Sequence, residues 1–290
     1  MATLAPDLIE RLKHTYLIKV VEKEEWAQAV SNGNLRLGSI RSYREFEKDS
    51  ERGDQDEGAV IRGLGRHFRI ELDGEKLTDV LDVAVHYNRH DDGAFLFCTY
   101  SLSLKDAFRC GVYKVPSELG RFGKFIVIVN ALNFVGQALK SCREQTVRCN
   151  CNFVSYVGDD FSGSWGFFRK RKRYAHQQEF RFMIEAEPHD SADPSYAYLK
   201  IGPLPGAVAV PLTNGFFRVT HPCPICREGE FTGIIAPERR RPKRIRAKIR
   251  KRFGAFHHFQ RCGGCGIELK VVGRGEARTI RPRKMLKSSR

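Results

Sequence analysis

Residues 95–103 read FLFCTYSLS, a run of apolar and aromatic residues that ends in hydroxyl side chains. Runs of this length and composition predict a β-strand. Residues 125–129 (FIVIV) are almost continuously apolar, which predicts a strand buried on both faces. Residues 15–21 and 179–187 have the same strand-like composition. These four segments predict a β-rich core.

The flanking segments add more strands and two helices. Further strands are predicted at residues 67–72, 80–87, 152–157, 196–201 and 207–212. Helical spacing of apolar residues predicts helices over 22–31 and 133–142, and a partly helical segment over 165–178. The sequence thus predicts an α+β domain over residues 1–215, a linker around 214–221, and a small second domain over 221–290.

The charge of the chain is concentrated in the second predicted domain. Residues 221–290 hold 20 Lys and Arg against 5 Asp and Glu, so they carry +15 of the formal net charge of +16. The preceding 220 residues hold 30 basic against 29 acidic side chains and are nearly neutral. A strongly basic domain of this kind indicates a polyanionic partner.

Four cysteines of the basic domain have the spacing of a metal site. Cys223-Pro-Ile-Cys226 and Cys262-Gly-Gly-Cys265 form two C-x-x-C pairs, which predicts a zinc ribbon with a structural Zn²⁺ on four thiolates. Two alternatives stay open at this point. The four cysteines can be free structural residues, or one thiolate can be replaced by a histidine, for which the candidates are His221, His257 and His258.

Between the two cysteine pairs lies a run of residues, 239–252, in which ten of fourteen are Lys or Arg. Beside a zinc ribbon, this density favours a nucleic-acid-binding arm over a solvated tail or a membrane-surface patch, because apolar residues are sparse in it. The candidate nucleic-acid-binding residues are Arg239, Arg240, Arg241, Lys243, Arg244, Arg246, Lys248, Arg250, Lys251 and Arg252.

Three short motifs follow one another in the neutral domain. Residues 16–33 combine a strand with a helix and a glycine, Tyr100-Ser101-Leu102-Ser103 ends a middle strand, and Gln177-Gln178-Glu179 opens a late one. This order resembles the ADP-ribosyltransferases, including toxin and phage-defence enzymes of that kind. The resemblance implies a split mixed sheet, forming two short, twisted sheets that face each other over a cleft and bind NAD as substrate.

The resemblance also implies roles for individual residues. Glu179 would stabilise the oxocarbenium-like ribose, and Gln177 would orient the acceptor, as it lies two residues earlier on the same face if both are in a strand. Ser101 and Ser103 match the middle motif, and Tyr100 matches the aromatic residue of a related branch that could face nicotinamide. The cation for the diphosphate would come from residues on or near the first strand: Lys19, Arg36 or Arg41. Taken singly, each motif is also typical of an ordinary strand.

A further stretch, residues 36–58, mixes arginines, glycines and acids, and resembles a segment of uncharacterised bacterial proteins of phage-defence and toxin type. Asp54, Asp56 and Glu57 are candidates for polar contacts in the NAD pocket. The alternative is a solvated, ion-paired connection between elements.

These expectations combine into two functional hypotheses. The first is a cytoplasmic, NAD-dependent ADP-ribosyltransferase that modifies a single-stranded nucleic acid, RNA slightly ahead of DNA, as a toxin or anti-phage effector with a possible neutralising antitoxin. The second is a non-catalytic zinc-ribbon nucleic-acid-binding regulator or antitoxin. Neither hypothesis involves a membrane, because no apolar run approaches the roughly 20 residues of a span.

Overall fold

A computed structural model describes residues 4–45, 54–87, 93–103, 112–186, 194–212, 217–222, 230–237, 257–261 and 268–272. Many strands and few helices make up these residues, which confirms the predicted α+β class. No helix in these ranges is both long and apolar enough to cross a membrane.

The described helices are α1 (Pro6–Lys13), α2 (Glu24–Ser31), α3 (Ile40–Glu45) and α4 (Ala131–Glu144), with 3-10 helices at Gly65–His67, Ser117–Arg121 and Lys172–Gln177. The described strands are β1 (Thr15–Val21), β2 (Asn34–Ser39), β3 (Ala59–Leu64), β4 (Ile70–Leu72), β5 (Glu75–Leu77), β6 (Asp82–His86), β7 (Ala94–Ser103), β8 (Val112–Val115), β9 (Phe125–Asn130), β10 (Arg148–Phe153), β11 (Ser155–Val157), β12 (Gly163–Ser164), β13 (Arg169–Arg171), β14 (Glu179–Glu185), β15 (Tyr196–Lys200), β16 (Val208–Pro211), β17 (Phe217–Pro222), β18 (Glu230–Pro237), β19 (His257–Arg261) and β20 (Glu268–Val272).

The main sheet contains eight strands. Six of them follow the order β10-β14-β7-β1-β9-β16, and β2 pairs with both β7 and β15. Every pair within this sheet is antiparallel. Parallel pairing occurs in two small sheets, between β11 and β13 and between β8 and β18.

Strand β7 is the point at which the main sheet divides. One of its edges pairs with β14 over residues 94–100. The other edge pairs with β2 at Leu96 and Phe95, and with β1 from Tyr100 onward. The registers leave residues 97–99 between these two neighbours. The main sheet is thus a single eight-stranded sheet, in which β2 and β1 follow one another along the same edge of β7, and not the predicted pair of facing sheets.

Both faces of the sheet are covered around β7, β9 and β14, where alternate side chains belong to different clusters. On one face, helix α4 presents Phe134 to Phe97, with ring centroids 5.7 Å apart, and to Phe182, at 6.0 Å. On the other face, Leu96 and Met183 pack with Ile40 of α3. Strand β9 contributes to a cluster on each face, as its apolar run predicts.

Three local predictions differ from the structure. Helix α1, which begins at a proline in its first turn, was not predicted. Residues 217–222 form β17 where a linker was expected. Gln177 ends a 3-10 helix and Gln178 has a left-handed backbone (φ 41°, ψ 51°), so strand β14 begins only at Glu179. The sharp turn at Gln178 therefore separates Gln177 from the strand.

Candidate functional site

Glu179 lies at the start of β14, on the face that α3 covers. Its register partner across the pair is Tyr100 of β7, so the two side chains project from the same face of the sheet. The backbone N–H of Glu179 donates to the Tyr156 hydroxyl at 2.8 Å. Burial raises the pKa of Tyr100 to about 12, so the phenol is neutral at physiological pH. The late motif and the aromatic residue of the middle motif are thus brought together.

Two cations hold the Glu179 carboxylate. Lys170 Nζ lies 2.9 Å from Oε1, and Arg181 Nε lies 2.8 Å from Oε2. Burial alone would raise the pKa of Glu179, but Lys170 and Arg181 outweigh it and lower the pKa to about 2. The carboxylate is therefore ionised at any physiological pH, with one lone pair of each oxygen already engaged.

The acidic segment after residue 53 reaches the same cations from far along the sequence. Arg181 forms a two-pronged ion pair with Glu57, with Nη1 and Nη2 at 2.8 and 2.7 Å from its oxygens. Asp56 accepts from Arg171 Nε at 3.0 Å and from Arg62 Nε at 2.5 Å. All three candidate acids, Asp54 included, are buried. The ion-paired alternative is therefore the arrangement observed, although the segment is buried rather than solvated.

Gly58 fixes the end of this acidic segment. Its φ is +73°, and a Cβ at this position would lie 2.4 Å from Ile40 Cγ2. Only glycine fits a left-handed backbone at such a close approach without strain. The turn delivers Asp56 and Glu57 to the sheet face on which Arg181 lies.

Asp54 is the group in this cluster with an incomplete set of partners. Its Oδ1 accepts from the Asp56 N–H at 3.1 Å, whereas its Oδ2 is buried and has no hydrogen-bond partner. Burial raises the pKa of Asp54 to about 6, and the nearby Glu57 carboxylate acts in the same direction. Asp54 thus changes its protonation state close to neutral pH.

Together these groups form a buried ionic network that is balanced in charge. Its members are the carboxylates of Asp54, Asp56, Glu57 and Glu179 and the cations Arg62, Lys170, Arg171 and Arg181. Arg62 extends the network to the surface through an ion pair with Asp82. Ion pairs taken out of water are stabilised only when the partners and hydrogen bonds are in place, so the network fixes the position of each member.

Gln177 joins the same network by a different route from the one expected. It is not on a strand, so the predicted alternation with Glu179 does not apply. Its side-chain Oε1 instead accepts from Lys170 Nζ at 2.9 Å, and the same ammonium group contacts Glu179. Lys170 therefore bridges the two residues of the late motif.

The two serines of the middle motif lie on the opposite side of β7. Ser101 follows Tyr100 and therefore projects away from Glu179, and its Oγ donates to the Gln178 carbonyl at 2.6 Å. Ser103 pairs with Thr15 at the end of the strand. The structure brings Tyr100 to Glu179 and leaves Ser101 and Ser103 on the other face.

The three candidate cations occupy separate places. Lys19 points its ammonium group into the gap between β1 and β2, where Nζ donates to the Cys98 carbonyl at 2.9 Å and lies 4.5 Å from the centroid of the Phe97 ring. Arg36 of β2 is stacked between aromatic rings at the surface. Arg41 is exposed on α3. Lys19 is thus the candidate beside the strand that carries the middle motif.

The zinc-ligand candidates and the basic run, including residues 239–252, lie outside the described residues. The strands around them are described. β17 and β18 form an antiparallel hairpin whose last pair is Pro222 with Glu230, and β19 and β20 form another whose last pair is Arg261 with Glu268. β18 also pairs with β8, which lies within residues 1–215, the range predicted as the first domain. Among the described residues, no group of three or more His, Cys, Asp or Glu is arranged to hold a metal ion.

The four cations of the network, Arg62, Lys170, Arg171 and Arg181, were not identified from the sequence, and neither was Tyr156 beside Glu179. For Arg181 a signal existed. In residues 179–185 (EFRFMIE), Phe180 and Phe182 occupy alternate positions, which puts Glu179 and Arg181 together on the other face. For Lys170 and Arg171, the run of five cations at residues 169–173 resembles a solvated surface. Nothing local indicates that two of the five are buried.

Comparisons with known proteins do not add to this geometry. No family model matches the chain, and neither the curated proteins nor the solved structures contain a match.

Proposed function

We propose that this chain is an NAD-dependent ADP-ribosyltransferase that modifies a nucleic acid, RNA slightly favoured over DNA, and acts as a toxin or anti-phage effector. The observation that carries the proposal is the adjacency of three strands. β14, β7 and β1, which bear the three motifs in the reverse of their chain order, are consecutive neighbours in the main sheet. Motifs some 80 residues apart in sequence therefore lie on neighbouring strands, although Ser101 and Ser103 project from the face opposite Glu179.

Glu179 has the properties that the reaction requires of a carboxylate. Loss of nicotinamide leaves positive charge on the ribose, and an ionised carboxylate stabilises that charge. Lys170 and Arg181 keep Glu179 ionised and fix its orientation. They also reduce the negative field that it presents, so its contribution would come from the remaining lone pairs, which can accept from the ribose hydroxyls.

We assign NAD to the stretch of β7 between its β1 and β2 neighbours, where Lys19 would supply the cation for the diphosphate. Ile18 is the register partner of Tyr100, so Lys19 lies on the face of the sheet opposite Tyr100 and Glu179. NAD bound to both groups would therefore extend past the edge of β7 at residues 97–99. Gln177, held by Lys170, would contact the acceptor.

The C-terminal hairpins support a zinc ribbon. Cys223 and Cys226 fall in the connection between the paired strands β17 and β18, and Cys262 and Cys265 fall in the connection between β19 and β20. Two hairpin connections that each carry a C-x-x-C pair are the arrangement that a four-thiolate Zn²⁺ site needs. His257 and His258 begin β19, so about five residues, roughly 16 Å of strand, separate His257 from Cys262.

The zinc would be structural. All four ligands come from the protein, so the ion would organise the hairpins and expose the basic run to nucleic acid without taking part in the chemistry. We expect about one zinc per chain by elemental analysis, and its loss in Cys223→Ser. Metal-free protein whose C-terminal region is still folded would contradict the ribbon.

The activity is tested by incubating the protein with NAD labelled in the adenylate part, together with RNA, DNA or total protein. We expect label in single-stranded RNA, with single-stranded DNA as the weaker acceptor, because a base must be unpaired to be attacked. Label in protein alone would refute the nucleic-acid acceptor but keep the transferase. No label and no free nicotinamide would refute the transferase.

One observation favours the second hypothesis, a non-catalytic zinc-ribbon nucleic-acid-binding regulator. Both oxygens of Glu179 are already bound by cations in a charge-balanced network, which is also what a purely structural network requires. Under that hypothesis the protein binds RNA or DNA through its basic run and releases no nicotinamide.

A further inference from the structure

A surface of aromatic and cationic side chains lies on β2 and β15. The register pairs Lys200 with Asn34, Tyr198 with Arg36, and Tyr196 with Gly38, so these side chains share one face of the strand pair. The intervening Leu35, Leu37 and Leu199 are buried on the other face. Asn34, Arg36, Tyr198 and Lys200 are exposed, and Tyr198 exposes 69% of its surface. We call this face the β2–β15 platform.

Arg36 is the centre of the platform. Its guanidinium carbon lies 4.2 Å from the centroid of the Tyr196 ring and 5.0 Å from that of Trp26, which projects from α2. Lys23 Nζ also lies 5.2 Å from the centroid of the Trp26 ring. The contacts with both rings hold the planar guanidinium of Arg36 in place. The Trp26 side chain beside it remains 38% exposed.

The composition of the platform selects its occupant. The exposed strand residues of the platform are Asn34, Arg36, Tyr198 and Lys200, with Tyr196 partly exposed, and none of them is acidic or aliphatic. Protein interfaces are also rich in Tyr, Trp and Arg, but they are depleted of lysine, whereas Lys23 and Lys200 flank the rings here. A site for phosphate alone would not need exposed rings. A surface on which aromatic rings alternate with cations can bind a single-stranded nucleic acid, because bases stack on the rings and phosphates contact the cations.

We propose that the β2–β15 platform is a binding site for single-stranded nucleic acid, separate from the basic run of the C-terminal domain. Tyr198 and Trp26 stack on bases, and Arg36 and Lys200 contact the backbone. The site is formed by the folded, nearly neutral domain and does not depend on NAD cleavage, so a chain without transferase activity would still show it.

Intrinsic fluorescence gives a direct readout, because the chain has two tryptophans and Trp165 is buried at 1% exposure. We expect a 12-nucleotide oligo(U) to quench the emission of Trp26 in the full chain, and Trp26→Phe to lose this quench. Anisotropy of a labelled oligonucleotide reports total binding in parallel. Binding by anisotropy without any quench of Trp26 would assign all binding to other surfaces and overturn the proposal.

Variants of Tyr198 separate stacking from charge. Tyr198→Ala is expected to weaken oligo(U) binding about tenfold at both low and high salt, with the salt slope unchanged, because stacking releases no counterions. Tyr198→Phe should bind like the parent chain. Leu81→Ala, which removes an exposed side chain elsewhere, is the matched control. Equal affinities for Tyr198→Ala and Leu81→Ala, with the quench of Trp26 as the readout, would refute the platform.

Discussion

The two highly charged regions of this chain, the network around Glu179 and residues 221–290, differ in whether their charges are balanced. The network around Glu179 is buried and sets four carboxylates against four cations. The C-terminal domain carries +15 and has too few acids to neutralise itself. The charges of the network cancel without any ligand. Those of the second region are neutralised only by an external anion. The balanced ion pairs of the network fix the positions of its side chains. The excess positive charge of residues 221–290 gives affinity for polyanions.

The largest effect is expected from breaking the internal balance. Arg181→Met would leave the buried Glu57 without its two-pronged partner and Glu179 with Lys170 alone. Removing one partner of a buried pair costs about 3–5 kcal/mol of unfolding free energy. Chemical denaturation measures it.

The control is Arg148→Met. Arg148 of β10 pairs at 3.8 Å with Glu185 of β14, the strand that also carries Arg181. Its side chain is 85% exposed, and exposed pairs are worth at most about 1 kcal/mol. An equal loss of unfolding free energy in Arg181→Met and Arg148→Met would show that the ion pairs of the network are worth no more than an exposed pair.

A smaller effect, of opposite sign, is expected at Asp54. Its pKa is about 6 in the folded chain against 3.8 as the ordinary value, so the folded state binds the proton more tightly. Stability from this group is present below pH 4 and is lost as the pH rises through 6. Asp54→Asn should therefore stabilise the protein by roughly 2–3 kcal/mol at pH 7 and by little at pH 4.

Thermal unfolding of Asp54→Asn and the parent chain between pH 4 and 7 measures this difference. Glu179 acts in the opposite direction, since its lowered pKa gives stability that is lost only as the pH falls from 4.5 toward 2. A stability difference that did not change with pH would show that Asp54 is not the buried titrating group.

The sequence predicts the strands of this fold better than its charged centre. Periodicity identifies β7, β9 and β14 because the pattern of buried side chains is local. The ion pairs of Arg181 with Glu57 and of Arg171 with Asp56 join residues 124 and 115 positions apart. No local pattern records which of several arginines reaches which acid. The left-handed Gln178 likewise results from tertiary contacts, since glutamine has no preference for that conformation.

The smallest graded effect concerns the basic run. Neutralising two of its ten cations, Arg244→Gln with Lys248→Gln, should make the salt dependence of RNA binding shallower by roughly 1.4 in log–log slope, about 0.7 for each lost phosphate contact with a single strand. NAD cleavage in the absence of nucleic acid should not change. A salt slope equal to that of the parent chain would remove the run from the nucleic-acid interface.

The most direct measurement of the central claim is nicotinamide release by Glu179→Gln and Glu57→Gln, compared with the parent chain. Both substitutions take one carboxylate from Arg181, so both perturb the network, but only Glu179 lies opposite Tyr100 on β7. We predict that Glu57→Gln, once shown to be folded, keeps most of the NAD cleavage and that Glu179→Gln loses it by a hundredfold or more, on the order of 3 kcal/mol of transition-state stabilisation. Equal activities in the two folded variants would contradict a catalytic role for Glu179 and leave the network as a structural one.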